Sequence, residues 1–259
     1  MKKEKLTIIK VGGKIVEDES ALRRLLADFS TMDGKKLLVH GGGRSATALA
    51  ARLGIETKMV DGRRITDDAM LEVVVMVYGG LVNKRIVAGL QAVGVNAVGL
   101  TGADMDVVLS VRRPAGKVDY GWVGDVRRVN ADAVSMLIEN GCCPVIAPIT
   151  HDGEGHLLNT NADTMAGETA KALAQRYEVE LVYCFEKAGV LSDGNDDNSV
   201  IKEINSCKYK ELKDSGVVSG GMIPKLDNAF ACISAGVSRV VITRADLIAD
   251  ADAGTKIVG

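Results

Sequence analysis

The sequence predicts an α/β fold: a largely parallel sheet covered by helices on both faces. Short apolar runs of strand length alternate with longer stretches of helical period along most of the 259 residues. Aromatic residues make up only 3% of a chain that is 47% hydrophobic, so the core must come from Val, Ile, Leu and Ala, which suits strands buried on both faces. Glycine is abundant at 29 residues against 4 prolines, and clusters of it follow the apolar runs, where strands turn into helices.

In chain order, Leu6-Thr-Ile-Ile-Lys-Val11 reads as the first strand. Asp18 or Ser20 caps a helix whose Leu22, Leu25, Leu26 and Phe29 share one face. Lys36-Leu-Leu-Val-His40 is the next strand, then three glycines and a helix with Ala46, Leu49, Ala50 and Leu53 on one side. Asp67 or Asp68 opens a long apolar helix through Val73, Val74, Val77 and Leu81 towards Leu90. After Asn96-Ala-Val-Gly-Leu100, the spacing of Val, Gly and charge over 105–130 suggests hairpins. Pro144-Val-Ile-Ala-Pro-Ile149 is a strand, and 161–176 is a helix with Ala162, Met165, Ala166, Thr169 and Leu173 inward. Glu180–Cys184 is a strand, 193–198 a solvated turn, 224–235 a helix and Ser238–Thr243 a further strand. No linker or repeat divides the chain, so 1–259 is read as one domain in two lobes.

Composition removes several function classes. Lys plus Arg total 32 against 34 for Asp plus Glu, and that balance fits neither a nucleic-acid surface nor an acidic tail. No run of about 20 apolar residues suggests a membrane span. The opening Met1-Lys-Lys-Glu-Lys is followed by too short an apolar stretch for a signal peptide. Five cysteines, an odd number without CxxC spacing, argue against disulfides and zinc and for a reducing cytoplasm.

The informative residues stand at the glycine corners: Lys10-Val-Gly-Gly-Lys14, Gly41-Gly-Gly-Arg44, Gly99-Leu-Thr-Gly-Ala-Asp104 and Gly220-Gly-Met-Ile-Pro-Lys225. Without a Cβ, backbone N–H groups can close on an anion, although strand–helix turns favour glycine in any case. No GxxxxGK[ST] occurs, so a P-loop is excluded. Gly41 to Ala46 fits GxGxxA, the dinucleotide fingerprint, with Asp61 at about the right distance for the acid. Thr57-Lys-Met-Val60 is a poor second strand, however, and Lys10 is left without a role. A dinucleotide-binding oxidoreductase is therefore the runner-up, and a non-catalytic sensor on the same scaffold is a third reading.

Lys10, at an apolar strand tip, must either snorkel to solvent or meet negative charge. Lys225 repeats the arrangement far along the chain, and two such lysines suit a transferred phosphoryl group. Asn159-Thr-Asn-Ala-Asp163 opens a helix either as simple caps or with Asp163 holding lysines and Asn159 donating to a substrate. Arg64 can clamp a carboxylate through two N–H groups, with adjacent Arg63 facing solvent. Three histidines and no GxSxG argue against a hydrolase triad, and His40 reads as ordering the glycine turn. A carboxylate acceptor, with its pKa of about 4.3, needs no general base.

These motifs, with the terminal Gly254-Thr-Lys-Ile257 and Val123-Gly-Asp-Val126, come in an order that closely resembles the N-acetylglutamate kinase family of the amino-acid kinase superfamily. The likeness runs essentially end to end. It implies an αβα three-layer sandwich around a mostly parallel sheet, with lobes of roughly 1–176 for the acylated amino acid and dimerisation and 177–259 for ATP. It implies phosphorylation of the side-chain carboxylate of N-acetyl-L-glutamate in arginine biosynthesis, with N-succinyl as an alternative acyl group. By motif, Lys10 and Lys225 would stabilise the transferring group and Asp163 would organise them. Gly42, Gly43, Arg64 and Asn159 would contact the substrate. Gly12, Gly13, Glu186, Gly189, Val217 and Ser219 would serve ATP, with Mg²⁺ bridging its phosphates. Where the family usually shows Thr-Asp-Val, this chain has Phe185-Glu-Lys187, which leaves the adenine side open. The first strand begins near Leu6, leaving no room for the N-terminal helix of hexameric, arginine-inhibited members. The resemblance thus implies a cytoplasmic homodimer, joined through the helix of 67–92 and without arginine feedback.

Overall fold

In the computed structural model, which describes residues 3–60 and 62–259, the strand Lys5–Val11 lies inside an eight-stranded sheet. Met1 and Lys2 of the opening segment, and Asp61, fall outside the described residues. Successive side chains of a strand point to opposite faces, and here that rule makes two cores from one sheet. Leu6 and Ile8 pack with the helices Ala131–Glu139, Ala162–Leu173 and Met222–Ser234. Ile9 and Val11 pack with Glu19–Thr31, Gly43–Arg52 and the long helix that starts at Asp68. Lys10 follows Leu6 and Ile8 to the first of these faces.

Across the sheet the order is Glu203–Ile204, Thr255–Ile257, Arg239–Arg244, Glu178–Phe185, Lys5–Val11, Lys35–His40, Cys143–Ile146 and Ala97–Leu100. Neighbours pair parallel except Arg239–Arg244 with Thr255–Ile257. This is the expected αβα sandwich. The sheet joins strands from both sides of the expected lobe boundary after residue 176, because Glu178–Phe185 pairs with Lys5–Val11. The expected hairpin region holds Val108–Arg112 and Gly124–Val129, paired antiparallel, in a second sheet with Ile149–His151 and Leu157–Asn159.

Several elements differ from the sequence reading. The single strand expected over 144–149 is two: Cys143–Ile146 in the main sheet and Ile149–His151 in the second. The chain changes sheets at Ala147-Pro148, where proline has no N–H for a ladder. The long helix is capped by Asp67, which accepts from Met70 N at 2.9 Å, but Val75–Val82 is π-helical. The i→i+5 pattern adds a residue to the turn. Burial therefore passes from Val77 and Tyr78 to Val82, and Leu81, expected inward, is 46% exposed. By length and composition Asp68–Ala92 could cross a membrane. Its Met70, Val73, Val74, Val77, Ile86 and Leu90 are instead buried against the sheet. Leu53 caps its helix and is exposed, while Ala46 and Ala50 are buried. Ala131–Glu139 and Ser206–Asp214 were not legible as helices, although Asn130 and Asn205 cap them.

His40, fully buried, orders the glycine turn as expected. Its Nδ1 lies 2.8 Å from the Gly41 carbonyl and so carries the proton, leaving Nε2 to accept from Asn83 Nδ2 at 3.1 Å. Asn83 Nδ2 also donates to the Val145 carbonyl at 2.9 Å. A Cβ on Gly99 would stand 1.9 Å from Asn83 Oδ1, which explains that glycine. Burial pushes the His40 pKa down to about 4. An unfolded imidazole titrates near 6.5, so the unfolded chain takes up a proton that the folded one refuses, and stability is lost as pH falls between those values. Urea unfolding between pH 7 and pH 5 should show about 2 kcal/mol of lost stability from this source. The His40→Gln variant should lack that share of the slope, and equal slopes in the two proteins would refute it.

Candidate active site

The helix starts separate into two kinds. Asp18, Asp67, Asn130, Asn161 and Asn205 each accept a backbone N–H through the side chain. Gly12, Gly42 and Gly221 have no side-chain cap. The first amides of a helix have no partner within it, so the caps at Gly12 and Gly42 leave them available to an anion, whereas after Gly221 the Met222 and Ile223 amides donate to the Ser219 and Gly220 carbonyls at 3.2 and 3.3 Å. The two open starts face each other: a Cβ on Gly13 would lie 3.7 Å from Gly43 N and 4.0 Å from Gly42 N. Gly42 also has to be bare because a Cβ there would meet the Tyr78 ring at 2.8 Å.

Two cavities meet at Gly43. The first, about 200 Å³, has Gly42, Gly43, Arg64 and Asn159 in its wall, the four residues expected to contact the substrate. Drug-sized ligands occupy roughly 300–1,000 Å³, so this space suits an acylated amino acid better than a dinucleotide. Arg64 is buried while Arg63 is exposed, as the adjacent-pair argument expects. The Arg64 guanidinium donates to the Gly43 carbonyl at 2.8 Å and to Thr47 Oγ1 at 2.9 Å, which fixes its plane. Asn159 Nδ2 donates to Thr66 Oγ1 at 3.0 Å, leaving its second N–H and its Oδ1 for the cavity.

The second cavity is lined by Lys10, Gly12, Gly13, Lys14, Arg44, Glu186 and Lys225. The two lysines expected to converge therefore do so. Lys10 does not snorkel: its Nζ lies 2.6 Å from Asp163 Oδ1, in the first turn of Ala162–Leu173. The Asp163 backbone is held in turn, because its carbonyl accepts from Asn228 Nδ2 at 3.2 Å and from the Tyr183 hydroxyl at 3.3 Å. Burial lowers the Lys225 pKa, Asp163 opposes that shift, and Lys10 adds to it. Glu186 forms an ion pair with Lys14, whose hydrogen bond holds its carboxyl below the usual range.

Three of the residues expected to serve ATP line neither cavity. Gly189 is buried, and a Cβ there would stand 2.7 Å from Thr255 Oγ1 and from Val200 Cγ1, so its bareness serves close packing. Val217 and Ser219 are exposed in the loop before Met222–Ser234. Sequence reasoning also passed over Tyr78, Arg113 and Asp125, which line the first cavity, and Lys14 and Arg44 in the second. Lys14 and Arg44 directly follow the glycines, a signal that was present. Tyr78 sits in a π-helical turn, and Arg113 and Asp125 come from a hairpin whose facing no helical period reveals.

The dinucleotide reading fails on connectivity. After Gly43–Arg52 the chain enters Met59–Val60, which pairs antiparallel with Arg63–Arg64 outside the main sheet.

Comparison with known proteins agrees with this geometry. The chain is 69% identical over 246 residues to the acetylglutamate kinase of Phocaeicola vulgatus, covering 95% of this chain and 96% of that one. It is 64% identical over 255 residues to the acetylglutamate kinase of Bacteroides fragilis, covering 98% and 97%. Among solved structures, smu.665 from Streptococcus mutans superposes with a TM-score of 0.79 at 30% identity over 98% of each chain. The profile of the amino acid kinase family matches residues 5–244, and the chain belongs to that family.

Proposed function

We infer that this chain catalyses ATP-dependent phosphorylation of the side-chain carboxylate of N-acetyl-L-glutamate, giving N-acetyl-L-glutamyl 5-phosphate and ADP, a step of arginine biosynthesis. The observation that carries the reading is the pair of cavities joined at Gly43, one bearing Arg64 and Asn159 and the other bearing Lys10 and Lys225. A carboxylate oxygen of the substrate attacks the γ-phosphorus as the bond to the β,γ-bridging oxygen breaks, and ADP leaves with that electron pair. No proton has to be removed, since the acceptor is already ionised. Asp163 is not placed to act as a base, because Lys10 neutralises it. Lys10 and Lys225 stabilise the charge spread over the transferring oxygens, and the open amides of Gly12, Gly13, Gly42 and Gly43 add donors. Arg64 and Asn159 orient the amino-acid part, with residues 1–176 serving the acylated amino acid and 177–259 the nucleotide.

The lining of the second cavity offers Mg²⁺ the carboxylate of Glu186, which is already paired with Lys14, so the ion would be held chiefly by the phosphates of the nucleotide. Among the described residues the one candidate carboxylate–histidine group, Asp152, Glu154 and His156, lies in the turn between Ile149–His151 and Leu157–Asn159. Bound to the phosphates, Mg²⁺ would neutralise part of their charge.

Acetyl is preferred over succinyl on electrostatic grounds. A succinyl carboxylate needs a cation at the acyl end, and the cavity wall does contain Arg113. Asp125 already answers that guanidinium, accepting from Arg113 Nε at 3.1 Å. A reducing cytoplasm suits the free thiols Cys143, Cys184 and Cys232, which are buried. A homodimer through Asp68–Ala92 is supported by exposed Met76 and Leu81 on that helix.

Three measurements test these readings. Hydroxylamine trapping of the acyl phosphate should show Lys225→Ala lowering kcat by roughly 10²–10³-fold with little change in KM for the acylglutamate. A higher KM with normal kcat would remove Lys225 from the chemistry. In the same assay across N-acylglutamates, kcat/KM should be highest for acetyl, and a reversal in favour of succinyl would mean that Arg113 is released from Asp125. Light scattering should give a dimer mass for the parent and a monomer mass for Leu81→Arg, and a dimeric variant would place the interface elsewhere.

A further inference from the structure

We propose that Phe185 is a positioning residue whose ring face seats the Lys225 ammonium at the wall of the phosphate-side cavity, with Tyr183 and Asn228 tying that seat to Asp163. Lys225 Nζ lies 3.7 Å from the centroid of the Phe185 ring, and both residues line the same cavity. The other two lysines there meet acids: Lys10 meets Asp163 and Lys14 meets Glu186. Among the described residues Lys225 has no carboxylate within 4.0 Å, and its neighbour is an aromatic face.

The difference matters for a lysine that has to serve phosphate. A carboxylate would satisfy the ammonium and then compete with the incoming oxygens. A ring attracts the cation through its quadrupole but leaves the charge unneutralised and the N–H groups free on the cavity side.

The seat is held from behind. Tyr183 and Phe185 are two residues apart in Glu178–Phe185, so they share a face, and their rings stack at 6.2 Å with 17° between planes. The Tyr183 hydroxyl accepts from Asn228 Nδ2 at 2.9 Å and donates to the Asp163 carbonyl. Asn228 is three residues beyond Lys225 in Met222–Ser234 and lies on the same side of that helix. Gly167, one turn beyond Asp163, permits the approach, because a Cβ there would stand 2.9 Å from Asn228 Oδ1. The helix carrying Lys225, the helix carrying Asp163 and the strand carrying the rings are thus joined at one point.

Phe185 has this role only if Lys225 stabilises the transferring phosphoryl group, as proposed for it. The test uses the intact enzyme with Phe185→Leu, Phe185→Trp, Lys225→Ala and the double variant Phe185→Leu/Lys225→Ala. Phe185→Leu should lower kcat roughly 2–30-fold, the range of a cation–π contact. KM for the acylglutamate should stay within about twofold. Leucine keeps the apolar surroundings and loses the quadrupole, so Lys225 should give up its proton more readily and the alkaline limb of kcat should move to lower pH. Phe185→Trp should keep kcat within about threefold of the parent, since tryptophan offers the better face. On the Lys225→Ala background Phe185→Leu should cost nothing further.

An unchanged kcat in Phe185→Leu would overturn the proposal, as would a tryptophan variant as slow as leucine or an equal loss on the alanine background. Full activity in Lys225→Ala alone would instead remove the role of Lys225 itself. Phe185→Met, similar in bulk and unbranched, takes the place of leucine if thermal unfolding shows that the leucine variant does not fold.

Discussion

A lysine at the carboxyl end of a strand buried on both sides cannot be left unpaired, and most of the site follows from how Lys10 is answered. Lys10 is 8% exposed and faces the core layer that holds Ala162–Leu173. Removing either partner of such a pair leaves a buried charge, a loss of about 3–5 kcal/mol. The start of that helix must therefore stand beside the strand tip with Asp163 in its first turn, and Asn161 caps it there through Thr164 N at 3.0 Å. Asp163 cannot serve as a proton acceptor while it balances Lys10. The interaction that allows a cation at the strand tip also decides which chemistry the site can perform.

The helix starts show the same selectivity. Where a helix only has to begin, the chain uses Asp or Asn and completes the first amides internally. At Gly12 and Gly42, which line the cavities, it uses glycine and leaves the first amides open, whereas Asn161 caps the helix that starts at the first cavity and the amides after Gly221 are taken by the Ser219 and Gly220 carbonyls. Glycine at the cap in place of Asp or Asn costs only about a few tenths of a kcal/mol. That loss has a function here, because the unpaired donors and the positive helix end are what an anion needs.

Much of this was legible in the sequence, and the limits were physical. Lys10 stood out because an apolar strand tip is a costly place for an ammonium, and Arg64 as a guanidinium able to clamp a carboxylate, with its neighbour Arg63 expected to face solvent. The strand–helix alternation foretold the layers. What could not be read was whatever broke a period. The π-helical turn brought Tyr78 and Val82 inward and turned Leu81 out, a change of phase that a 3.6-residue repeat does not contain. The apolar run of 144–149 hid a change of sheet, since Val, Ile and Ala suit both. The close packing at Gly189, where a Cβ would stand 2.7 Å from Thr255 Oγ1 and Val200 Cγ1, was not legible either, because those partners are distant along the chain.

The barrier to this reaction is chiefly the repulsion of two anions that must come within bonding distance. Two unit charges about 4 Å apart interact with about 4 kcal/mol at an effective dielectric of 20, and a phosphate chain carries more than one. Acid–base assistance does nothing for that term, whereas a local excess of positive charge does. The second cavity supplies it: Lys10, Lys14, Arg44 and Lys225 line it with Glu186 as the one lining acid. The Lys14–Glu186 pair is half-exposed and weakly held, so Lys14 can exchange its partner for a phosphate at little cost. Lys10 is fixed by Asp163 and Lys225 rests on a ring, so neither has to be desolvated when the nucleotide arrives. In the proposed reaction the site lowers the barrier by holding cations in place before the anions meet, which accounts for a site built from a strand tip, two helix starts and bare glycines rather than from a base.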